Sequence, residues 1–260
     1  MFRSPRLALV SLVAVVGLSA MPAQAALTTF ANFTGIDANT GIRFQNSAVD
    51  NVSGTGGSLY TIDGVSSGPG SRIVSFSFLP PQLAAINNVN ATFTLSAATA
   101  SAAQTGASIV QPNLVGSFSF LSTGALTAGG INYAAGANLL SGTFNDVSIS
   151  GQDNASAASY GGSTGGGATI NFTSDFVTFN PVSGYDLSIS LSSLAPLLAA
   201  APGSALRTFE AYSTGSFSSD PVPAANAVPE PAAWLMLIAG FGLVGVQVRG
   251  RRKTVLAVAA

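Results

Sequence analysis

The stretch Arg72-Ile73-Val74-Ser75-Phe76-Ser77-Phe78-Leu79 alternates large apolar with small polar side chains. Val74, Phe76 and Phe78 share one face at a period of two, and Ser75 and Ser77 share the other. That is the pattern of a strand with one face buried and one face wet. The same reading extends outward along the chain. Phe93 and Leu95 alternate with Thr92 and Thr94; Leu114, Phe118 and Phe120 with Ser117 and Ser119; Leu187, Ile189 and Leu191 with Ser188 and Ser190. Ile170 and Phe172 have one parity and Val177 and Phe179 the other, so a bulge near residues 174–176 is expected.

Turn signals separate these runs: Gly54 to Gly57, Gly68-Pro69-Gly70, Gly129-Gly130, Gly151 to Asn154, and the Gly-rich run 161–167. A helical pattern is rare. Residues 193–201 could form one or two turns, limited by Pro196. Strands punctuated in this way predict an all-β fold, an antiparallel β-sandwich of jelly-roll type over residues 26–218. A Pro/Ala linker is expected over 219–228, where Asp220-Pro221-Val222-Pro223 opens the stretch. The segment Ser-Phe-Ser-Phe-Leu occurs at 75–79 and again at 117–121, but the residues around the two copies do not match.

Both ends of the chain are of another kind. Arg3 and Arg6 precede fourteen mostly apolar residues, 7–20, and Ala23-Gln24-Ala25 follows as a small-residue cleavage site. Residues 1–25 therefore read as a signal peptide, with Ala23 and Ala25 presented to signal peptidase after passage through the secretion machinery. No Cys follows the apolar region, which excludes a lipoprotein anchor. At the far end stands Pro229-Glu230-Pro231, followed by Trp234, an apolar run over 232–248 and the basic cluster Arg249, Arg251, Arg252 and Lys253. The prolines fix an extended, presented peptide. Seventeen residues of helix, 232–248, span roughly 26 Å, slightly short of a hydrocarbon core of about 30 Å. Trp234 suits the outer interface, and the cations place residues 254–260 in the cytoplasm. The signal peptide and the basic cluster give the same orientation. The β domain is thus expected to lie between an N-terminal signal helix and a C-terminal transmembrane helix.

In its order of Pro-Glu-Pro, Trp, apolar span and basic end, the segment 229–253 resembles the PEP-CTERM sorting signal. The resemblance covers about a tenth of the chain. Leu235 stands where Ala is common, and the chain runs on past the basic cluster to Ala260. The resemblance implies an exosortase as partner and a cut near Pro-Glu-Pro. It implies transient residence in the inner membrane, then delivery to the cell surface or the medium. The stretches 138–144 and 173–176 also look like segments of other exported proteins with this tail.

Composition narrows the function. Between the two signals, Arg43, Arg72 and Arg207 face Asp37, Asp50, Asp63, Asp146, Asp153, Asp175, Asp186, Glu210 and Asp220. Three minus nine gives −6, a charge masked by the whole-chain value of −1. So acidic and cation-poor a surface argues against nucleic acid. The chain contains no His and no Cys, which removes Ser-His-Asp and Cys-His catalysis and the usual zinc sites. Lys is absent between the signals, and no Gly-Lys-Ser/Thr follows the Gly-rich run, so that run is a flexible loop and not a phosphate cradle. Asp146, Asp153 and Asn154 offer hard oxygen atoms for calcium, without any recognised calcium pattern. Thr92, Thr94 and Thr127 do not form the regular ladder that ice binding would favour.

No catalytic residue and no cofactor is expected. Two readings stand. One is a non-enzymatic surface or matrix protein, sorted by exosortase and associated with exopolysaccharide or biofilm. The other is a secreted carbohydrate-binding module or carboxylate-dependent glycoside hydrolase, with Tyr60, Tyr133, Tyr160, Tyr185 and Tyr212 as stacking platforms.

Overall fold

The computed structural model describes residues 27–36, 41–180 and 184–223. The described residues form strands and two short 3-10 turns. In chain order the strands are β1 (Thr28–Gly35), β2 (Ile42–Asn46), β3 (Gly57–Thr61), β4 (Arg72–Phe78) and β5 (Val89–Thr99). Then come β6 (Ser108–Ser122), β7 (Leu126–Ala128), β8 (Ile131–Tyr133), β9 (Asn138–Gln152) and β10 (Ala157–Ser163). The last are β11 (Thr169–Thr173), β12 (Val177–Phe179), β13 (Asp186–Ala195), β14 (Phe209–Ser219) and β15 (Pro221–Pro223).

All pairings are antiparallel, and the main ladder returns to its start. β1 pairs β4, β4 pairs β5, β5 pairs β6 and β6 pairs β9. β9 then pairs β10, β10 pairs β13, β13 pairs β14, and β14 pairs β1. β2 and β3 make a second bridge from β14 to β5, beside β1 and β4. β11 continues the sheet from β9. The hairpin β7–β8 and the pair β12–β15 stand apart. The expected all-β antiparallel fold is therefore present. In place of two separate jelly-roll layers, one sheet closes on itself. Long strands make this possible: β5 pairs β4 with its first half and β3 with its second, and β14 divides its length between β2 and β1. Closure removes sheet edges that would otherwise invite pairing with other chains.

The alternation in β4 is realised: Val74, Phe76 and Phe78 are buried inside the wall. Phe93 of β5 stacks on Phe120 of β6, with ring centroids 4.5 Å apart and planes 6° from parallel. Phe33 of β1 meets both rings at 4.9 Å. Burial of each such ring stabilises the fold by about 1.5–3 kcal/mol. The two Ser-Phe-Ser-Phe-Leu copies lie on β4 and β6, on either side of β5, and their Phe76 and Phe120 touch at 5.2 Å.

Several local expectations are corrected. Residues 174–176 do not bulge a continuous strand. The chain leaves the main sheet there, and β12 pairs with β15 instead. Gly161 and Gly162 are strand residues of β10, and not a flexible loop. Gly161 is required by close approach: a Cβ there would run into the carbonyl oxygen of Leu187 on β13. At the end of the run, Gly167 has φ +99°, a left-handed conformation that glycine adopts without steric cost. Residues 193–195 complete β13 and form no helix. The expected linker is also shorter. Ser219 closes β14, and Pro221–Pro223 pairs with β12, so strand structure runs past Ser218 to residue 223. Proline is admissible in such a short peripheral pair because one side of the strand needs no donor.

Candidate functional site

Four neighbouring strands, β4, β1, β14 and β13, place their outward side chains in two cross-strand rows. Ser77, Asn32, Ser216 and Ser188 make one row by register. Ser75, Thr34, Thr214 and Ser190 make the next. Strands lie about 4.8 Å apart and alternate residues about 6.7 Å apart along each strand, so the eight side chains form a regular lattice. The lattice lines a cavity of about 430 Å³, which Asn88 flanks beside β4. Asn88 donates its N–H to Ser77 Oγ at 2.8 Å, and Ser77 Oγ donates to Asn87 Oδ1 at 2.9 Å. All of these side chains are neutral.

Charged groups are engaged elsewhere. Arg43 and Glu210 form an ion pair at 3.0 Å. Arg72 is buried and donates to the Asp63 carbonyl at 2.8 Å. The Asp50 carboxylate accepts the N–H groups of Ser53 and Val52, which lowers its pKa from the usual range. Asp63 does the same with Ser66 and Val65, with the same effect. Both carboxylates cap their own turns. Partial burial raises the pKa of Asp186.

The other singled-out residues are dispersed. Asp146 lies within β9 and Asp153 just past its end, seven residues or roughly 20 Å apart at strand rise. Asn154 donates to Asp153 at 3.0 Å, but Asp146 is not brought to them. Among the described residues, no three acidic groups gather as a metal site would require. Tyr160 and Tyr185 are buried, so neither is a surface platform. Burial pushes the phenol of Tyr160 well above its ordinary pKa. Tyr60 donates to the Ser67 carbonyl at 2.9 Å, and Tyr133 packs on Phe176 at 4.4 Å. Thr92 and Thr94 lie on β5 and Thr127 on β7, in different sheets.

The stretches 138–144 and 173–176 meet. β9 and β11 pair from Ser141↔Thr173 to Asn145↔Thr169. At the end of this ladder Asn138 N–H donates to Asp175 Oδ2 at 2.7 Å, and Asp175 N–H returns a bond to the Asn138 carbonyl at 2.9 Å. Their shared place in the fold is thus a reciprocal clasp.

Two buried amides escaped sequence reasoning. Asn46 accepts the N–H groups of Ala48 and Gly54 and donates to the Leu206 carbonyl at 2.9 Å. Gln111 accepts the Leu206 N–H at 3.0 Å and donates to the Ser101 carbonyl at 2.7 Å. Together they hold both polar groups of the Leu206 backbone.

The signal-peptide residues Ala23 and Ala25 lie outside the described residues. So do Pro229, Glu230, Pro231, Trp234, Arg249, Arg251, Arg252 and Lys253, together with the two expected flanking helices. Among the described residues, no helix is long and apolar enough to cross a membrane. No curated protein and no solved structure matches the chain significantly. Residues 227–253 match the family described as the PEP-CTERM protein-sorting motif. That motif implies export to the cell surface, with an exosortase as processing partner. The chain thus carries a PEP-CTERM sorting motif that begins four residues after its last described strand.

Proposed function

We propose that this is a non-enzymatic surface or matrix protein, exported through its signal peptide and processed by exosortase. Its β domain then remains with exopolysaccharide in a biofilm. The carrying observation is the sorting motif at 227–253, placed directly behind a strand-built domain. Only residues 224–228 separate Pro223 from Pro229. Five residues bridge at most about 18 Å of extended chain. The folded domain is therefore delivered to the processing enzyme on a short tether, with its C-terminus in the inner membrane until the cut. Lack of His and Cys throughout the chain supports a role that needs no nucleophile–base pair.

The test removes Pro229–Pro231 and follows the protein in membrane, surface and medium fractions, with mass spectrometry of its mature C-terminus. The expected result is uncut protein held at the inner membrane. Unchanged processing and delivery would overturn the sorting role.

A further inference from the structure

We propose that the cavity over β4, β1, β14 and β13 binds a segment of neutral polysaccharide. The proposal rests on the surface and matrix reading above and assigns that reading a contact face.

The first support is the state of the hydrogen-bonding groups. Some neighbouring polar side chains on the wall bond to one another. Thr94 and Ser119 do so at 2.7 Å, and Ser141 and Asn138 at 2.7 Å. In the cavity, the side chains of Asn32, Thr34, Ser188, Ser190, Thr214 and Ser216 make no hydrogen bond among the described residues, so none has to be broken to receive a ligand. Three adjacent strands thus present six unengaged donor–acceptor groups into one concave space.

The second support is chemical selection. Hydroxyl and amide groups both donate and accept, as the hydroxyls of a sugar do. No cation lines the space to hold a phosphate or carboxylate, and the domain's charge of −6 disfavours polyanions. The only large apolar group at the lining is Phe33, which is itself buried, so an apolar ligand gains little there. Geometry adds a third support. The four strands span about 14 Å at 4.8 Å spacing, and a sugar chain laid across them advances by nearly one ring per strand. With no aromatic plate, each contact is weak, and a repeating polymer that meets many copies of the protein compensates through avidity.

Affinity electrophoresis tests this on the full chain purified in detergent. Native gels contain dextran, hydroxyethylcellulose or galactomannan as neutral probes and alginate as the acidic one. Retardation is expected in at least one neutral gel and not in alginate. Thr34→Val combined with Thr214→Val keeps shape and strand propensity but removes two central hydroxyls. It should weaken retention about tenfold, the equivalent of ~1.4 kcal/mol. Thr94→Val with Ser119→Ala, on another part of the wall, should leave retention unchanged. Should the valine pair melt differently from the parent, Ser190→Ala with Ser216→Ala replaces it. The proposal is overturned if no neutral glycan retards the parent, if alginate retards it equally, or if a folded cavity variant binds as the parent does. Binding is read on purified protein and needs no processing. Retention without processing therefore removes only the sorting role, and processing without retention removes only the glycan site.

Discussion

Substitution of Asn46 gives the sharpest test of how this wall is held together. Its side chain is 2% exposed and fastens three pieces of backbone. Oδ1 accepts from Ala48 N–H at 3.0 Å and Gly54 N–H at 2.9 Å, and Nδ2 donates to the Leu206 carbonyl at 2.9 Å. Asn46→Ala removes three short bonds and leaves backbone groups without partners. At about 1 kcal/mol net for each bond, the loss is about 3 kcal/mol. For a domain of this size that lowers Tm by roughly 6–12 °C. Asn46→Asp separates the two halves of the argument. One carboxylate oxygen still serves Ala48 and Gly54, but the other faces the Leu206 carbonyl with no proton to give. The ionised form should therefore be at least as damaging as alanine at neutral pH. Its folded pKa is raised by this environment, so its stability deficit grows as pH rises through that pKa. Below the unfolded value of about 3.9, the protonated carboxyl can donate to Leu206 and much of the deficit disappears. Urea unfolding followed by circular dichroism at pH 3.5 and pH 7 measures both effects. A cost for Asn46→Ala below 1 kcal/mol, or a pH-independent deficit for Asn46→Asp, would refute the knot as described.

Two further perturbations follow from the same wall. Tyr160 is fully buried and its hydroxyl has no hydrogen-bond partner among the described residues, so Tyr160→Phe should raise stability by about 1 kcal/mol in urea unfolding; a loss of that size would show a partner for the hydroxyl. Asp186 has a raised folded pKa because burial disfavours its charge, so its ionisation costs stability as pH rises through that value and costs nothing below the unfolded pKa. Asp186→Asn should therefore stabilise the domain at pH 7, match the parent in acid, and remove the pH slope just above the ordinary carboxylate range. An unchanged slope would exclude Asp186 as its source.

Sequence alone was most legible where large rings alternate with serine or threonine. β4, β5, β6 and β13 announce themselves through runs of bulky inward residues in alternation, such as Val74, Phe76 and Phe78, Phe93 and Leu95, Phe118 and Phe120, and Leu187, Ile189 and Leu191. β14 is silent for the opposite reason: Ala211, Ser213 and Gly215 interrupt its apolar alternation with small residues, and Gly215 lies against the ring of Phe33. In β1, Phe30 and Phe33 are three apart yet both buried, because the register shifts between Thr29 and Ala31. Bulges of this kind erase a period of two. Nothing in the local sequence marks Asn46 and Gln111 as buried, since Leu206, the backbone both of them hold, lies far away in the chain. The cavity was equally hidden, its lattice being assembled from residues between 32 and 216. The sorting motif needs no such assembly. Its information is in linear order, which is why residues 227–253 are recognisable without any fold.

The distribution of charge ties the domain to its tail. Asp50 and Asp63 turn their carboxylates to local backbone, Glu210 is paired with Arg43, and the lattice over four strands carries no charge at all. Solubility then rests on neutral hydroxyls, which also tolerate close contact with an uncharged polymer. The four cations of the motif lie beyond Pro-Glu-Pro, so a cut there separates them from a domain of net charge −6. On the proposed route, the basic cluster would orient the chain before the cut, and after it no basic segment would remain to draw the domain to anionic membrane lipids. Under the proposed processing, the same cut would also change the electrostatics of what is delivered, from −3 for residues 26–260 to −6 for residues 26–228, with the neutral lattice still on the domain that is released.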